Sequence, residues 1–349
     1  MFSGIFTKPQ VDIIIDEVPN RKKAKIYELD GSITRLPLLY DQEDVSGRVI
    51  LKLPAGKTFE HKGIKIELMG AIQSISDPND TLKFISLTSE LESIQILSKE
   101  TNTYNFKFSQ VQKQYETYRG KLRNIIYQLK LTIDTSFRTL TFTQEFGVYN
   151  IEKPLILSQD NNPIKLEVGI EDWLQLIFEV DARNYDIKGM IVGKVTFKKV
   201  SIRLTSMEVQ IIKKETYNVQ GVEPINQVII AYEIMDGGPI KNEVIPIRFY
   251  LKPYGFTPSI DNANNRLSVQ YLISLVLVDI EGRKYFKKHE ITLHRIEKPT
   301  LEKKKVICED ALNELVKLGY LKPYVRECLH NNEKNYATAS YYLLVKYCY

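Results

Sequence analysis

Four histidines are the side chains of this sequence best suited to bind a metal or to move a proton near neutral pH. His61 and His330 fall in predicted turns. His289 and His294 alternate with apolar residues along a late predicted strand. Residues five positions apart in a strand project to opposite faces, so His289 and His294 are not expected to share a metal ion.

The three cysteines, Cys308, Cys328 and Cys348, recur every 20 residues without a C-x-x-C pair. This spacing does not fit a zinc site. Glu171 and Asp172 are adjacent in a strand or turn, a poor geometry for a pair of acid–base catalysts. The sequence contains no nucleophile elbow, P-loop or dinucleotide-binding motif. We therefore expect a protein that is not an enzyme and that uses neither a metal nor another cofactor.

The composition is that of ordinary globular domains, with 43% hydrophobic and 26% charged residues in 349. The longest apolar stretch, at 271–278, is much shorter than the roughly 20 residues that span a bilayer. The first ten residues do not resemble a signal peptide. All cysteines lie in the last 42 residues, so positions 1–307 form no disulfide, which is typical of a cytosolic protein.

The formal net charge of +5 is mildly basic. The densest basic runs are at 21–25 and 302–306, and we interpret them as solvated loop and linker charge. A weak attraction to an anionic membrane surface is the alternative. Because the charge is dispersed and no reader motif accompanies it, nucleic-acid binding is not expected.

Two pairs of segments repeat at nearly the same offset along the chain. Gly47 opens an apolar run at 45–53, and Gly193 opens a similar run 146 residues later (193 − 47). The segments that begin at Lys121 and Arg266 form a second pair, 145 residues apart (266 − 121). Two pairs in register predict a duplicated domain.

Almost everything before residue 300 alternates apolar and polar residues with a period of two and is rich in β-branched and aromatic residues. Turns rich in Gly, Asn and Pro separate the predicted strands. The fold class is therefore mainly β, with two antiparallel β-sandwiches in tandem. We place the first sandwich at 1–152 and the second at 153–298.

The pattern changes after Pro299. A charged linker at 299–307 precedes three short helical segments at 308–349, the first with apolar residues at three- and four-residue spacings. Pro323 suits the first turn of the second helix. So small a bundle is near the lower limit of independent stability, which favours docking on the main body.

Several segments resemble the vacuolar protein sorting-associated protein 26 family, the arrestin-like subunit of the retromer complex. They include LYDQEDVSGRV (39–49), LEVGIEDWLQLIFE (166–179), IVGKVTF (191–197) and AYEIMDGGPIKNEVIPIRFYL (231–251). The resemblance runs from about residue 5 to residue 297. It implies a non-enzymatic subunit that caps the long α-solenoid subunit of retromer and helps to recruit cargo on endosomes.

The resemblance also implies where the solenoid subunit binds. In the family, a loop of the second domain docks on that subunit, and its apolar tip corresponds to Ile234 and Met235. These residues precede the turn at 236–239, so the local pattern independently presents an apolar pair there. A pair of this kind can also pack into its own core. The strip at 245–258, with Arg248 and Tyr250, would add a second contact.

By the same resemblance, cargo signals bind in extended form at a sheet edge beside a phosphoinositide-binding sorting nexin. The matching positions are Val168 and Phe286, for which ordinary core packing is the alternative. Asp41 matches a contact to a PDZ-containing sorting nexin, but the loop has Gln42-Glu43-Asp44 where the vertebrate-like pattern has a glycine. Membrane association would be indirect, on the cytosolic face of endosomes.

The helical tail departs from the family, whose members usually end in a short polar segment. It resembles ubiquitin-associated domains, and more closely the variants that follow some protein kinases. The resemblance would place ubiquitin contacts at Leu318, Gly319, Tyr320, Leu343 and Leu344. The kinase-linked variants mostly act as intramolecular regulators, so we expect a docking or solubilising appendage, with ubiquitin binding and a fused or mispredicted gene end as alternatives.

A signalling arrestin that binds phosphorylated receptor tails is the alternative function for the whole chain. Such a protein needs clustered Lys and Arg in its first domain. The run at 21–25 is basic, but it follows the first strand in a predicted turn and has no aromatic residues interleaved with it. The sequence favours the retromer subunit.

Overall fold

The computed structural model describes residues 9–16, 21–77, 79–158, 161–170, 173–217, 222–296, 308–330, 333 and 335–347. The chain forms two compact units, Met1–Ile296 and Glu297–Tyr349. The first unit is built of β-strands and the second of helices.

Strands up to Tyr149 form the first sandwich. A three-stranded sheet with the order β1-β4-β9 faces a larger sheet with the order β2-β3-β12-β11-β6-β7, in which β10 also pairs with β11. Strands β5 and β8 form a separate pair. The strands are β1 (Gln10–Ile15), β2 (Lys23–Tyr27), β3 (Ile33–Tyr40), β4 (Val45–Lys52), β5 (Phe59–His61), β6 (Gly63–Ser74), β7 (Thr81–Glu92), β8 (Gln95–Leu97), β9 (Thr101–Phe108), β10 (Tyr118–Arg119), β11 (Arg123–Asp134) and β12 (Thr139–Tyr149).

Strands from Ile164 to His294 form the second sandwich. A four-stranded sheet with the order β13-β14-β16-β19 faces a sheet with the order β15-β22-β21-β17-β18, in which β20 also pairs with β21. The strands are β13 (Ile164–Ile170), β14 (Leu174–Val180), β15 (Asn184–Asp186), β16 (Met190–Val200), β17 (Leu204–Thr216), β18 (Ile225–Asp236), β19 (Val244–Tyr250), β20 (Ile260–Ala263), β21 (Leu267–Asp279) and β22 (Lys284–His294).

The repeated glycines occupy equivalent places in the two sandwiches. Gly47 pairs with Ile15 and Gly193 pairs with Val180. A Cβ atom on Gly47 would lie 2.1 Å from the Ile14 carbonyl oxygen, and one on Gly193 would lie 2.4 Å from that of Glu179. Each repeat needs glycine because a neighbouring backbone approaches too closely for any side chain.

Buried polar contacts join the two sandwiches. The Glu215 carboxylate, in the second sandwich, accepts hydrogen bonds from the Tyr118 hydroxyl at 2.8 Å and from the backbone nitrogens of Lys121 at 2.8 Å and Leu122 at 3.1 Å. Lys213 adds an ion pair at 3.1 Å. This buried carboxylate is thus fully hydrogen-bonded, as burial of a charge requires.

The C-terminal unit is a three-helix module of α1 (Glu309–Lys317), α2 (Lys322–His330) and α3 (Tyr336–Tyr347). Its small core contains Leu312, Leu315, Val325 and Leu329. The predicted three-helix tail is therefore confirmed, with Pro323 in the first turn of α2. In the described residues, no helix is both long and apolar enough to cross a membrane.

Two of the histidine predictions were wrong. His61 lies in the short strand β5 and is fully buried, because Phe59 and His61 both face inward while Glu60 faces out. His330 is the last residue of α2. His289 and His294 both lie in β22, as the alternation predicted.

Candidate partner-binding surfaces

The side chains that could support catalysis or metal binding do not converge in the structure. His294 Nδ1 lies 2.7 Å from a carboxylate oxygen of Glu152, whereas His61 is buried in the first sandwich. No group of three or more His, Cys, Asp or Glu residues suited to a metal occurs among the described residues. Cys308 and Cys328 are free thiols, and Cys348 lies outside the described residues, as do Glu171 and Asp172.

The second sandwich has one long side bordered by two edge strands. β18 ends the larger sheet and β19 ends the smaller one. The Tyr232 ring on β18 meets the Phe249 ring on β19 edge-on, with 5.7 Å between centroids. We call this side the β18/β19 edge. Its exposed apolar side chains are Val228, Tyr232, Val244 and Tyr250.

Ile234 and Met235 lie near the end of the β18/β19 edge. Met235 pairs with Met207, and the register then shifts so that Glu233 pairs with Glu208, leaving Ile234 in a bulge. Both side chains are half-buried and pack against the core. Each side chain of the pair therefore lies partly in the core and partly at the surface. A bulge causes this, because it changes the direction of side chains that would alternate between the two faces of a regular strand.

Arg248 and Tyr250 lie on the outer face of β19. Ile247 and Phe249 point into the core, so the residues that alternate with them are exposed. Tyr250, which is 59% exposed, pairs with Met190 across the sheet. These two side chains border the same edge as Ile234 and Met235, on the other sheet.

In the part of the chain that the structure describes, the opposite side of the second sandwich is also bordered by unpaired strand edges. β13 is the other end of the smaller sheet. On the larger sheet, β15 pairs only with residues 292–294 of β22. Residues 284–291 of β22 therefore border this side beyond the reach of β15. We call this side the β13/β22 edge. Its backbone N–H and C=O groups can form hydrogen bonds with a further strand.

Val168 and Phe286 both belong to the β13/β22 edge but face differently. Val168 pairs with buried Leu176 and is itself half-buried against the core. Phe286 is 65% exposed, and the Lys288 Nζ atom lies 5.0 Å from its ring centroid. The structure thus places Phe286 on the outer face and Val168 at the rim of the interior.

Asp41 lies in the turn between β3 and β4. Its Oδ1 atom accepts a hydrogen bond from the backbone nitrogen of Lys113 at 2.7 Å. The Lys113 side chain is fully buried and donates to the carbonyl oxygens of Glu43 at 2.6 Å and Val111 at 2.9 Å. Burial lowers the pKa of Lys113. Buried Lys113 thus holds the acidic turn in place through these hydrogen bonds, while Asp41 itself stays exposed.

In the three-helix module, Leu318 and Leu343 are 67% and 60% exposed. Tyr320 and Leu344 instead pack against the module's core. Gly319 has a φ of 92°, in the left-handed region that favours glycine. Two of the five expected ubiquitin contacts are therefore accessible apolar side chains.

The exposed apolar side chains that sequence reasoning missed at turns of the second sandwich include Trp173 and Ile280, which are 55% and 62% exposed. Sequence reasoning also missed Glu116, Glu215 and Arg295, whose roles depend on contacts between the sandwiches. The one available signal was the type of residue, because a tryptophan or an isoleucine is unusual at the tip of a turn.

Two β-sandwiches in tandem, with sheet edges that can accept partners, define an arrestin-like scaffold. Residues 6–282 match the model of the family described as Vacuolar protein sorting-associated protein 26. Similar curated proteins include Vacuolar protein sorting-associated protein 26B of Danio rerio, 39% identical over 84% of this chain and 88% of its own length. Vacuolar protein sorting-associated protein 26 of Plasmodium falciparum (isolate 3D7) is 40% identical over 84% of this chain and 99% of its own length. Vacuolar protein sorting-associated protein 26B of Arabidopsis thaliana is 37% identical over 82% of this chain and 94% of its own length.

The chain belongs to the vacuolar protein sorting-associated protein 26 family. The family is one of protein sorting and contains no known enzyme activity. The three-helix module lies beyond the matched residues 6–282.

Proposed function

We propose that this chain is the non-enzymatic retromer subunit that caps the solenoid subunit and, with a sorting nexin, captures cargo signals for retrieval from endosomes. The observation that carries the proposal is the pair of open sides on the second sandwich. A scaffold with two opposed open edges has separate surfaces for an assembly partner and for cargo.

The β18/β19 edge is the proposed surface for the solenoid subunit. Apolar and aromatic groups at an interface centre supply most of the binding energy. Val228, Tyr232 and Tyr250 provide such groups in exposed form, and the half-buried Ile234 and Met235 are held in place by the core beneath them. Arg248 supplies a charge at the rim.

The β13/β22 edge is the proposed surface for cargo tails. An extended peptide adds to a sheet edge through backbone hydrogen bonds, and its side chains select the pockets on either side. Val168 would line the inner side of that added strand, and Phe286 would meet the sorting nexin on the outer face. The two roles differ because the two side chains face differently.

In this proposal the protein is cytoplasmic and peripheral on the cytosolic face of endosomes. The phosphoinositide-binding sorting nexin supplies the membrane contact, so the chain itself associates indirectly. The acidic turn that contains Asp41 is the proposed contact for a PDZ-containing sorting nexin, with Lys113 keeping the turn rigid. We keep 1–152 and 153–298 as the proposed bounds of the two sandwiches.

The signalling arrestin is the weaker candidate. Arg21, the one arginine of the basic run at 21–25, donates to the carbonyl oxygen of Leu38 at 2.8 Å and pairs with Glu43 at 2.8 Å. Its charge is therefore committed within the first sandwich. A phosphate would have to compete with these contacts.

Exposed Leu318 and Leu343 favour a second, additional function for the three-helix module, weak binding of ubiquitin. Titration of labelled chain with ubiquitin would test this by NMR. Shifts confined to the module, and lost in Leu318→Ser, are expected. Unchanged spectra at millimolar ubiquitin would count against the assignment.

The main test measures the affinity of purified full-length chain for the solenoid subunit by calorimetry. Tyr250→Ser removes an outward aromatic group without disturbing the core, so we expect it to weaken binding at least about tenfold. The matched control is Tyr336→Ser, an exposed tyrosine of the three-helix module, which lies outside the proposed solenoid surface. Failure of the unmodified chain to bind the solenoid subunit would reject the proposed function, and binding of a phosphopeptide instead would favour the arrestin.

A further inference from the structure

Four turns of the second sandwich lie at the same end of that sandwich. Leu174 pairs with Val200, Leu204 pairs with Asp279 and Ser206 pairs with Asp236. Each of these pairs lies at the end of two adjacent strands. The turns at 173, 201–203, 236–239 and 279–283 adjoin these strand ends. We call these four turns together the turn platform. Because Ile234 and Met235 directly precede one of its turns, the platform adjoins the end of the β18/β19 edge.

Backbone hydrogen bonds connect the turns to one another. The Ser201 nitrogen donates to the Trp173 carbonyl oxygen at 2.6 Å, and the Ile280 nitrogen donates to that of Arg203 at 3.2 Å. The Thr205 carbonyl oxygen accepts from the Gly237 nitrogen at 2.7 Å. The Thr205 hydroxyl donates to the carbonyl oxygen of residue 278 at 3.1 Å. These hydrogen bonds join the turns into one surface.

The turn that carries Ile280 is held from inside. The buried Asp279 carboxylate accepts hydrogen bonds from the backbone nitrogens of Glu281 and Arg283, each at 2.9 Å, and from Tyr285 at 3.1 Å. Gly282 closes the turn with a φ of 77° and a hydrogen bond to the Asp279 carbonyl oxygen at 3.0 Å. Ile280 is therefore presented to solvent by a rigid backbone, so little entropy is lost when a partner covers it.

Trp173 is the second exposed apolar group of the platform and the only tryptophan in the sequence. An exposed tryptophan offers a large apolar area with few rotatable bonds, which is why this residue is enriched at interface centres. It lies in the turn between β13 and β14, whereas Ile280 lies in the turn between β21 and β22. The two anchors thus belong to different sheets.

The charges around Ile280 do not suit an anionic membrane. The Arg283 Nε atom lies 2.6 Å from a carboxylate oxygen of Asp279, and a terminal nitrogen of Arg283 lies 3.0 Å from Glu281. The turn's own cation is thus neutralised by two carboxylates. Within its own turn, Ile280 therefore offers anionic lipid no uncompensated cation, which favours a protein partner.

We propose that Trp173 and Ile280 are further apolar anchors for the solenoid subunit, which would cover the turn platform as well as the β18/β19 edge. This inference rests on the proposed function, because the partner is the same. It enlarges the contact from one strand edge to the end of the sandwich. The platform also extends toward β13 and β22, so it would bring the assembly partner beside the proposed cargo surface.

The single tryptophan allows a direct test in the full-length chain. Uniform labelling with 5-fluorotryptophan gives one ¹⁹F resonance, and purified unlabelled solenoid subunit is added to it. We expect that resonance to shift or broaden as the complex forms. Ile280→Ser should lower the affinity at least about tenfold, which marks an interface anchor. The control Ile94→Ser removes an isoleucine that is 74% exposed on the first sandwich, and it should bind like the unmodified chain.

The outcomes separate the two proposals. If Ile234→Asp with Met235→Asn abolishes binding while Ile280→Ser and the ¹⁹F resonance show no effect, the turn platform is not part of the interface and the proposed function survives. If the unmodified chain does not bind the solenoid subunit, both fail. A ¹⁹F shift with vesicles of phosphatidylserine and phosphatidylcholine, but none with the solenoid subunit, would identify the platform as a membrane contact and overturn the inference.

Discussion

The Arg295 guanidinium of the second sandwich holds the Glu116 carboxylate of the first. Its Nε atom lies 2.8 Å from one oxygen, and a terminal nitrogen contacts the other. Both side chains are almost wholly buried, and the Arg295 Cζ atom lies 3.7 Å above the Tyr149 ring. Burial raises the pKa of Glu116, and Arg295 opposes that shift. The arginine thus compensates a charge that the interface has removed from water.

Loss of one partner of this pair should destabilise the whole scaffold. Arg295→Met leaves the Glu116 carboxylate buried without its cation, which typically costs about 3–5 kcal/mol of unfolding free energy. Adding Glu116→Gln should restore part of that loss, because no charge then remains unpaired. Urea unfolding of the two variants measures both effects. Lys52→Met, which breaks the exposed pair with Asp12, serves as control and should cost less than about 1 kcal/mol.

The sequence was sufficient to predict the sandwiches but not how they join. The duplication was visible because Gly47 and Gly193 are each required by a local steric contact. The contact of Glu116 with Arg295 joins residues 179 positions apart, and no local pattern signals such a pair. Ile234 lies just before the turn at 236–239, as expected, but the bulge that holds it was not predictable, because bulges depend on the neighbouring strand. The exposure of Trp173 and Ile280 likewise depends on how four turns meet.

His61 should make stability depend on pH. Both ring nitrogens are buried and have no hydrogen-bond partner in the described part of the chain, and burial lowers the pKa of His61. Below the ordinary value of about 6.5, the unfolded chain binds a proton that the folded chain does not. Stability should therefore fall as the pH decreases from about 6.5 toward the folded pKa, by at most about 1.4 kcal/mol per pH unit.

His61→Phe should remove this dependence and raise stability at neutral pH, because it eliminates a buried polar group that lacks a partner. Thermal unfolding between pH 7.5 and 5.5 measures both effects. His289→Gln is the control. Burial also lowers the pKa of His289, but this half-buried side chain is more exposed to solvent than that of His61, so its loss should change the pH slope less. An equal pH slope in His61→Phe and in the unmodified chain would show that His61 is not the group responsible.

The double substitution Ile234→Asp with Met235→Asn should abolish binding to the solenoid subunit. Loss of two apolar anchors, together with a new charge in the interface, should weaken binding by more than about 10³-fold in calorimetry. Because both side chains partly pack against the core, some loss of melting temperature is also expected. A folded variant with unchanged affinity would contradict the assignment, and a largely unfolded one would favour a core role for the pair.

Deletion of residues 306–349 should leave assembly intact. The three-helix module is a compact unit with its own core, and the proposed solenoid surface lies on the second sandwich. Calorimetry with the solenoid subunit should give the same affinity for the truncated and full-length chains. Loss of binding in a truncated chain that still folds would place the module in the interface.

The final prediction concerns cargo. A peptide of the aromatic-x-Leu type should bind the β13/β22 edge only weakly by itself, since ordering each residue costs roughly 1–2 kcal/mol. A sorting nexin that contacts Phe286 would complete the site, so the peptide and the nexin should tighten each other's binding by the same factor. Fluorescence anisotropy of a labelled peptide, with and without the nexin, measures that factor.

Phe286→Ser and Val168→Asp should both remove the coupling while the solenoid contact persists. They differ in their risk to the fold. Phe286 is 65% exposed, so its loss leaves the core intact, whereas a carboxylate at half-buried Val168 faces the rim of the interior. Coupling that survives Phe286→Ser would exclude the shared site, because no fold defect could explain that result. Coupling lost in Val168→Asp alone, together with a lowered melting temperature, would instead assign Val168 to core packing.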